Sequence, residues 1–183
     1  MDNQQATQWE LGWLAGMLEG DGHIGIRYNR VGTKNPKRYF LTNIEFTNTD
    51  KAIIEKVYDI CLKLGTKMHV KTNKELKGKA HRRKVVYCAR THRMSGVEPV
   101  LEGLLHYLVG EKRERAYLIL RFIKLRKAQH DLRTKGTGAV IPYTKEEIEI
   151  VFSVKQLVNP WKSSEAIRTE LQEAINERPL QEV

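Results

Sequence analysis

Residues 14–22 read LAGMLEGDG and lie within the longer stretch LGWLAGMLEGDGHIGI of residues 11–26. The apolar spacing predicts a helix from about residue 8 to residue 20. Glu19 and Asp21 then lie at its C-terminal end, where the helix macrodipole disfavours carboxylates. A strand pattern follows at once, so something outside this stretch must compensate for the two acids.

The rest of the chain alternates hairpin-like and helical patterns. Thr7 and Glu10 have the form of a capping box at the start of the first helix. The pattern predicts strands at 23–31, about 38–47, 66–73 and 84–91. It predicts helices over 50–65, ending at Gly65, and at about 99–109, 111–127, 144–158 and 163–177. Nearly continuous apolar residues leave the register of 84–91 open. The predicted fold class is α+β with a four-stranded antiparallel sheet, in one domain with a core of about 7–127 and a helical C-terminal extension of about 128–183.

Positive charge is concentrated in two segments. The net charge is +10, and residues 27–38 and 67–93 hold 15 of the 32 basic residues but one of the 22 acids. Solubility does not need this concentration, whereas a polyanion partner does. Both segments include predicted strands, in which side chains at alternate positions can reach base edges and phosphates.

The composition also limits the class of protein. No apolar run reaches the length of a membrane span, and residues 1–10 lack the pattern of a signal peptide. Cys61 and Cys88 lie in apolar contexts that favour reduced core thiols. We expect an intracellular protein without a membrane partner.

A stripe of small residues runs along the first predicted helix. Gly12, Gly16 and Gly20 recur every four residues and, with Ala15, would allow a second helix to approach closely. If that helix comes from a second copy, two-fold symmetry brings two Asp21 carboxylates together. Divalent cations such as Mg²⁺ neutralise paired carboxylates and promote phosphodiester hydrolysis. For Asp21-Gly22 taken alone, an ordinary turn remains the alternative.

LAGMLEGDG resembles the nine-residue motif of the LAGLIDADG homing endonucleases, and its single occurrence resembles the homodimeric members of that family. The order of helices and hairpins, and the segments LVGEKRERAYLIL (108–120) and NPWKSSEAIRTEL (159–171), extend the resemblance over most of the chain. It implies the LAGLIDADG fold and a site-specific endonuclease that cuts both strands of a long pseudo-palindromic DNA target as an intron-encoded homodimer.

The resemblance also implies roles for individual residues. Asp21 and the backbone carbonyl of Gly20 would bind Mg²⁺, with Mn²⁺ or Ca²⁺ able to occupy the same sites. Lys112 would polarise solvent or stabilise transition-state charge, although a solvated residue in a charge-rich run is the alternative. Asn48 would position active-site water. The second basic residue is Lys51 or is absent, and Glu19 has no firm role.

The alternation of the predicted strands assigns the DNA contacts. Side chains on the polar face and basic residues of the loops form this set: His23, Arg27, Asn29, Arg30, Lys34, Tyr39, Asn43, Glu45, His69, Lys71, Arg82 and Arg83. An intron-RNA splicing maturase with intron RNA as its partner, or a catalytically silent DNA-binding regulator, is the alternative function. An organelle (chloroplast or mitochondrion) and a prokaryotic cytoplasm both suit the expected location.

Overall fold

A computed structural model describes residues 5–31, 37–73, 85–131 and 142–176. These residues form an α+β fold, in agreement with the predicted class. The elements in chain order are α1 (Gln8–Gly20), β1 (His23–Val31), β2 (Lys37–Asn48), α2 (Lys51–Lys63), β3 (His69–Asn73), β4 (Val86–Thr91), α3 (Met94–Leu104), α4 (Gly110–Asp131), α5 (Lys145–Val158) and α6 (Ser164–Asn176).

The first helix follows the prediction from its sequence. The Thr7 hydroxyl accepts a hydrogen bond from the Glu10 N–H at 3.2 Å, and the Glu10 carboxylate accepts one from the Thr7 N–H at 2.8 Å. This capping box satisfies two N–H groups that the helix itself leaves unpaired. Leu14 and Leu18 are fully buried on the inner face.

The four strands form one antiparallel sheet in the order β1-β2-β4-β3. Phe40, Ile44 and Phe46 are buried, as their alternation in β2 predicts. The same reasoning fails for Val70, which is 44% exposed. Its strand β3 lies at the edge of the sheet, and the other described side chains of that strand are exposed as well.

The described chain divides into two compact units, residues 1–24 with 42–113, and residues 25–41 with 114–183. In the first unit, α1 packs against α2 and α3. The Lys56 ammonium lies 4.2 Å from the ring centre of Trp9 and 4.4 Å from that of Trp13. Together with the buried faces of the helices, these cation–π contacts hold α2 against α1.

The second unit combines the outer part of the first hairpin with the C-terminal helices. Helix α5 begins with its own capping box between Thr144 and Glu147. The Arg126 guanidinium of α4 lies 3.4 Å from the buried Glu147 carboxylate. Helices α5 and α6 pack against each other, with Ile167 and Leu171 buried.

The third helix differs from its prediction. It begins at Met94, five residues before Pro99, and ends at Leu104 rather than near residue 109. Proline favours the first turn of a helix, but here it lies within one. Four fully buried residues (Val97, Val100, Leu101 and Leu104) stabilise the helix despite the missing N–H. The break near Gly110 is confirmed, since that glycine has a φ of +50°.

Both cysteines are buried, and they form no disulfide, as predicted. Burial raises the pKa of the Cys61 thiol to about 12, so this thiol stays protonated at neutral pH. Among the helices of the described residues, none is both long and apolar enough to cross a membrane.

Candidate active site and nucleic-acid interface

The motif ends in a tight turn that leads directly into β1. The N–H groups of Asp21 and Gly22 both donate to the carbonyl of Met17, at 3.1 and 3.0 Å. A Cβ atom at residue 22 would lie 2.6 Å from a Leu18 methyl carbon and 2.9 Å from the Leu18 carbonyl oxygen. Only glycine fits this turn, which leaves the Asp21 side chain at the surface.

Lys112 supplies the positive charge that the end of α1 lacks. Its ammonium donates to the carbonyl oxygens of Leu18, of Glu19 at 2.6 Å and of Gly22 at 3.0 Å. A lysine has three N–H donors, and these three carbonyls occupy all of them. The half-buried side chain therefore satisfies the end of the helix and offsets its negative dipole. The alternative considered for this residue was a solvated side chain in a charge-rich run, and these three contacts do not fit it.

Glu19 makes a contact in the opposite direction, from a side chain of α1 to the backbone just before α4. Its Oε1 accepts a hydrogen bond of 3.0 Å from the N–H of Val109, just before α4 begins at Gly110. The carboxylate thereby lies near the positive end of the α4 dipole. Each helix thus places a charged side chain against the unpaired backbone groups of the other. We call this pair of contacts, made by Glu19 and Lys112, the reciprocal cap.

The Asp21 carboxylate takes no part in the reciprocal cap. It is exposed, and no side chain in the described ranges bonds to it. Nor do the residues that the structure describes include a group of three or more His, Cys, Asp or Glu side chains placed to hold a metal ion. In the described part of the chain the Asp21 carboxylate therefore lies open at the end of α1, and the symmetric pair expected from the sequence stays a prediction.

The structure gives Asn48 and Lys51 local partners. The Asn48 Oδ1 atom accepts from the Asp50 N–H at 2.8 Å, and the Asp50 carboxylate accepts from the Ala52 N–H. Asn48 therefore helps to begin α2, with its oxygen directed at the backbone. Lys51 forms an exposed ion pair of 2.5 Å with Glu55.

The polar face of the sheet brings predicted DNA contacts together in the first unit. Glu45 pairs with Arg90, and Arg90 with His69, so the three form a row across β2, β4 and β3. The next row on that face ends at Lys71, which is exposed. Arg90 was not among the predicted contacts because the register of β4 was left open. Its alternation with the buried Ala89 is the signal that identifies it.

Other predicted contacts also lie at accessible positions of their strands. His23, at the start of β1, is half-buried, and so is Tyr39 in β2, while Arg27 is exposed. Asn29 and Arg30 belong to β1, but only their backbone is described. Lys34, Arg82 and Arg83 lie outside the described residues.

The structure corrects the prediction that Asn43 contacts DNA. It occupies the polar phase of β2, yet the residue is fully buried and its amide atoms have no hydrogen-bond partner among the described residues. Alternation along a strand predicts which face a side chain takes, but not what covers that face. A buried Asn43 cannot contact a base in this conformation.

A basic groove of about 490 Å³ opens at the edge of the sheet in the first unit. Its wall combines the start of β3 with the end of β4 and the residues that follow. The lining residues are Lys67, Met68, His69, Arg90, Thr91, His92 and Arg93. Because three Lys or Arg and two His side chains converge there, the groove suits a phosphate backbone.

The glycine stripe of α1 is open only in part. An added Cβ would meet no atom within 4 Å at Gly16, and at Gly12 it would lie 3.9 Å from a Tyr107 ring carbon. Ala15, in contrast, is 2% exposed and packs inside its own chain, so its predicted place in a dimer contact is wrong. Trp9 and Val109 are 65% and 66% exposed in the same unit. We use the name α1 surface for the side of α1 marked by Gly12 and Gly16, taken with the exposed Trp9 and Val109 of the same unit and without Ala15.

Comparison with known proteins identifies the fold. The homing endonuclease I-CvuI, in complex with its target in the presence of Ca, is 19% identical with a TM-score of 0.57, over 91% of this chain and 95% of that one. The homing endonuclease I-TnaI is 17% identical with a TM-score of 0.57, over 90% and 97%. The LAGLIDADG homing endonuclease I-SmaMI, bound to cleaved DNA, is 15% identical with a TM-score of 0.57, over 98% and 53%.

The sequence itself supports the same assignment. A comparison with curated proteins finds no match. The family described as LAGLIDADG-like domain matches residues 8–114, which include the motif, the reciprocal cap and all four strands. Because this match covers more than half of the chain, the protein belongs to the LAGLIDADG-like domain family.

Proposed function

We propose that the protein is a site-specific endonuclease that cuts both strands of a long pseudo-palindromic DNA site as a homodimer. The observation that carries this proposal is the exposed Asp21 carboxylate, set at the end of α1 beside an open glycine stripe. Structural neighbours of low identity include I-CvuI in complex with its target and I-SmaMI bound to cleaved DNA. They support the same chemistry here.

DNA would lie along the polar face of the sheet. The row of Glu45, Arg90 and His69 places one acceptor and two basic side chains at neighbouring positions on three strands. Such a row can reach base edges, while the basic groove can follow the phosphate backbone. The net charge of +10 would make binding depend strongly on salt.

A second copy of the chain would complete the active site. One protomer supplies one open carboxylate, whereas cutting a duplex needs a centre for each strand. The α1 surface combines the open Gly16 with the exposed apolar side chains of Trp9 and Val109, and exposed apolar groups favour self-association. I-SmaMI is consistent with this arrangement, since this chain spans about half its length.

The donors at the end of α1 fit a hard divalent cation. Asp21 provides an unpartnered carboxylate oxygen, and the Gly20 carbonyl is the neighbouring oxygen donor that the resemblance implies. Bound there, Mg²⁺, or Mn²⁺ or Ca²⁺ at the same sites, would polarise the scissile phosphate and activate water. Two Asp21 carboxylates near the dimer axis would repel each other without such a cation.

Lys112 would act on this centre through its charge and through the backbone that it holds. Its three donors are engaged by Leu18, Glu19 and Gly22, so donation to a phosphate would require it to release one of them. In the described arrangement the ammonium fixes the turn that presents Asp21. It also adds a positive charge close to the point where phosphoryl charge develops.

The direct test is the substitution Asp21→Asn. We expect the rate of duplex cleavage with Mg²⁺ to fall on the order of 10³-fold, because the amide cannot replace a charged ligand. DNA affinity should stay within about threefold, since Asp21 is not a groove contact. Asp59→Asn, which alters an exposed carboxylate on α2, is the matched control and should cut normally.

Selection of cleaved sites from a randomised duplex library supplies the substrate for this test. It yields the target and shows whether the target is pseudo-palindromic. Retained cleavage by Asp21→Asn would contradict the catalytic assignment. Failure of the wild-type chain to cut any member of the library would overturn the proposed function.

A further inference from the structure

The outer part of the first hairpin belongs to the same compact unit as the C-terminal helices. Residues 25–41 and 114–183 form this unit, whereas the remainder of β2, from Thr42 onward, belongs to the other. Among the predicted DNA contacts in the hairpin part, Arg27 and Tyr39 are those whose side chains the structure describes. Their placement therefore depends on how the C-terminal helices hold this segment.

A buried hydrogen bond connects the hairpin to the residues just before α5. The backbone N–H of Phe40 donates to the Tyr143 hydroxyl at 2.9 Å, and both residues are buried. The ladder between β2 and β4 begins only at Ile44, which pairs with Thr91, so β4 provides no partner at Phe40. The Tyr143 hydroxyl takes the place that a neighbouring strand would otherwise fill.

Ring contacts extend this link to β1. The Phe40 ring lies 4.8 Å from the Tyr143 ring, centre to centre, and 5.8 Å from the Tyr28 ring. Tyr28 is the neighbour of Arg27 in β1, just as Phe40 is the neighbour of Tyr39 in β2. A shift of Phe40 would therefore move both strands at the positions of these contacts.

Tyr143 is itself held from several sides. The Arg126 guanidinium lies 4.6 Å from the centre of its ring, and the Phe122 ring lies 6.4 Å away, centre to centre. Arg126 also donates to the Pro142 carbonyl at 3.0 Å and pairs with the buried Glu147. The hydroxyl thus has a fixed position relative to α4 and α5.

We propose that Tyr143 is a positioning residue for DNA recognition, which sets the place of the first hairpin in the groove through the N–H of Phe40. This inference rests on the proposed function. In Tyr143→Phe the rings stay in place, but a buried N–H loses its partner. The backbone of β2 then moves to regain one, and Arg27 and Tyr39 move with it.

The test compares cleavage profiles on a randomised duplex library with Mg²⁺. Arg27→Ala and Lys71→Ala, made singly, first identify the base pairs that depend on the first and the second hairpin. In Tyr143→Phe we expect about a tenfold loss of preference at the Arg27-dependent base pairs and less than about a twofold change at the Lys71-dependent ones. Tyr117→Phe, which removes a 59% exposed hydroxyl of α4, is the control.

Hydrogen exchange of the free protein completes the test. The Phe40 amide and its neighbours should exchange faster in Tyr143→Phe, with protection elsewhere unchanged. An unchanged profile, equal losses at both sets of base pairs, or a global loss of protection would overturn the inference while leaving the endonuclease proposal intact. A wild-type chain that cuts nothing would overturn both.

Discussion

Two junctions in this molecule bring an acid and a base to helix ends, and they do so differently. At the end of α1, Glu19 and Lys112 each bond to backbone groups and leave Asp21 open. At the start of α5, Arg126 and Glu147 are buried and pair with each other. The first junction leaves the Asp21 carboxylate exposed, whereas at the second the two charged groups pair with each other inside the fold.

The largest effect on stability should come from Glu147→Gln. Glutamine can keep the capping contact with Thr144, but it removes the buried carboxylate that pairs with Arg126, so the free energy of unfolding should fall by about 3 kcal/mol. Chemical denaturation measures this loss. Glu146→Gln is the control, because its ion pair with Arg121 is exposed and should contribute less than about 0.5 kcal/mol. Equal losses of unfolding free energy in the two variants would contradict the expectation that the buried ion pair contributes more than the exposed one.

Lys112→Met should affect both stability and cleavage. Three carbonyls and the α1 dipole lose their cation, so we expect about 2 kcal/mol less stability. The cleavage rate of saturated enzyme should fall about 10²-fold, since the turn that presents Asp21 loses its support. Lys124→Met, at an exposed position of the same helix, should change neither. A stable and fully active Lys112→Met would refute the role of the reciprocal cap.

Glu19→Gln should have a smaller effect. The amide oxygen can still accept from the Val109 N–H, but the favourable charge near the α4 dipole is lost, at about 0.5 kcal/mol. Thermal unfolding at low and high salt measures this difference, which should shrink as salt screens the charge. An effect that does not depend on salt would show that Glu19 acts through shape alone.

The smallest expected effect concerns Glu170, which bonds to Lys155 and Lys162. Hydrogen bonds from these lysines outweigh desolvation and lower the pKa of this carboxyl in the folded state. The resulting stability is present above the pKa of the unfolded chain and is lost as pH falls through the folded pKa. In Glu170→Gln this part of the acid dependence should vanish, at less than about 0.5 kcal/mol because the side chain is partly exposed. Denaturation at a series of pH values tests this expectation.

Local sequence patterns predicted the features that depend on residues close to one another in the chain. The limits of α1 follow from its capping box and apolar spacing, and the inner face of β2 follows from alternation. The start of α3 did not follow, because Pro99 suggested a first turn while the burial of distant partners decided the helix. The predictions that Val70 is buried and that Asn43 is exposed are wrong for a related reason, since the exposure of a side chain depends on which elements lie beside it.

The motif directed the prediction of a candidate site to the end of α1, but it did not predict the contacts that form there. Lys112 follows the motif by about 90 residues, and no periodicity links a lysine in a charged run to the carbonyls of another helix. Glu19 had no assigned role for the same reason. The register of β4, which places Arg90 beside Glu45, depends on pairing with β2 and β3.

Strand β2 passes from one compact unit to the other between Leu41 and Thr42. This crossing has a consequence for how such proteins can be recombined. In a chimera that takes residues 25–41 from a relative, the N–H at position 40 must still find the Tyr143 hydroxyl of this chain as its acceptor. The first hairpin and the helices of the second unit are therefore best inherited together, although about 100 residues separate Phe40 from Tyr143 in the chain.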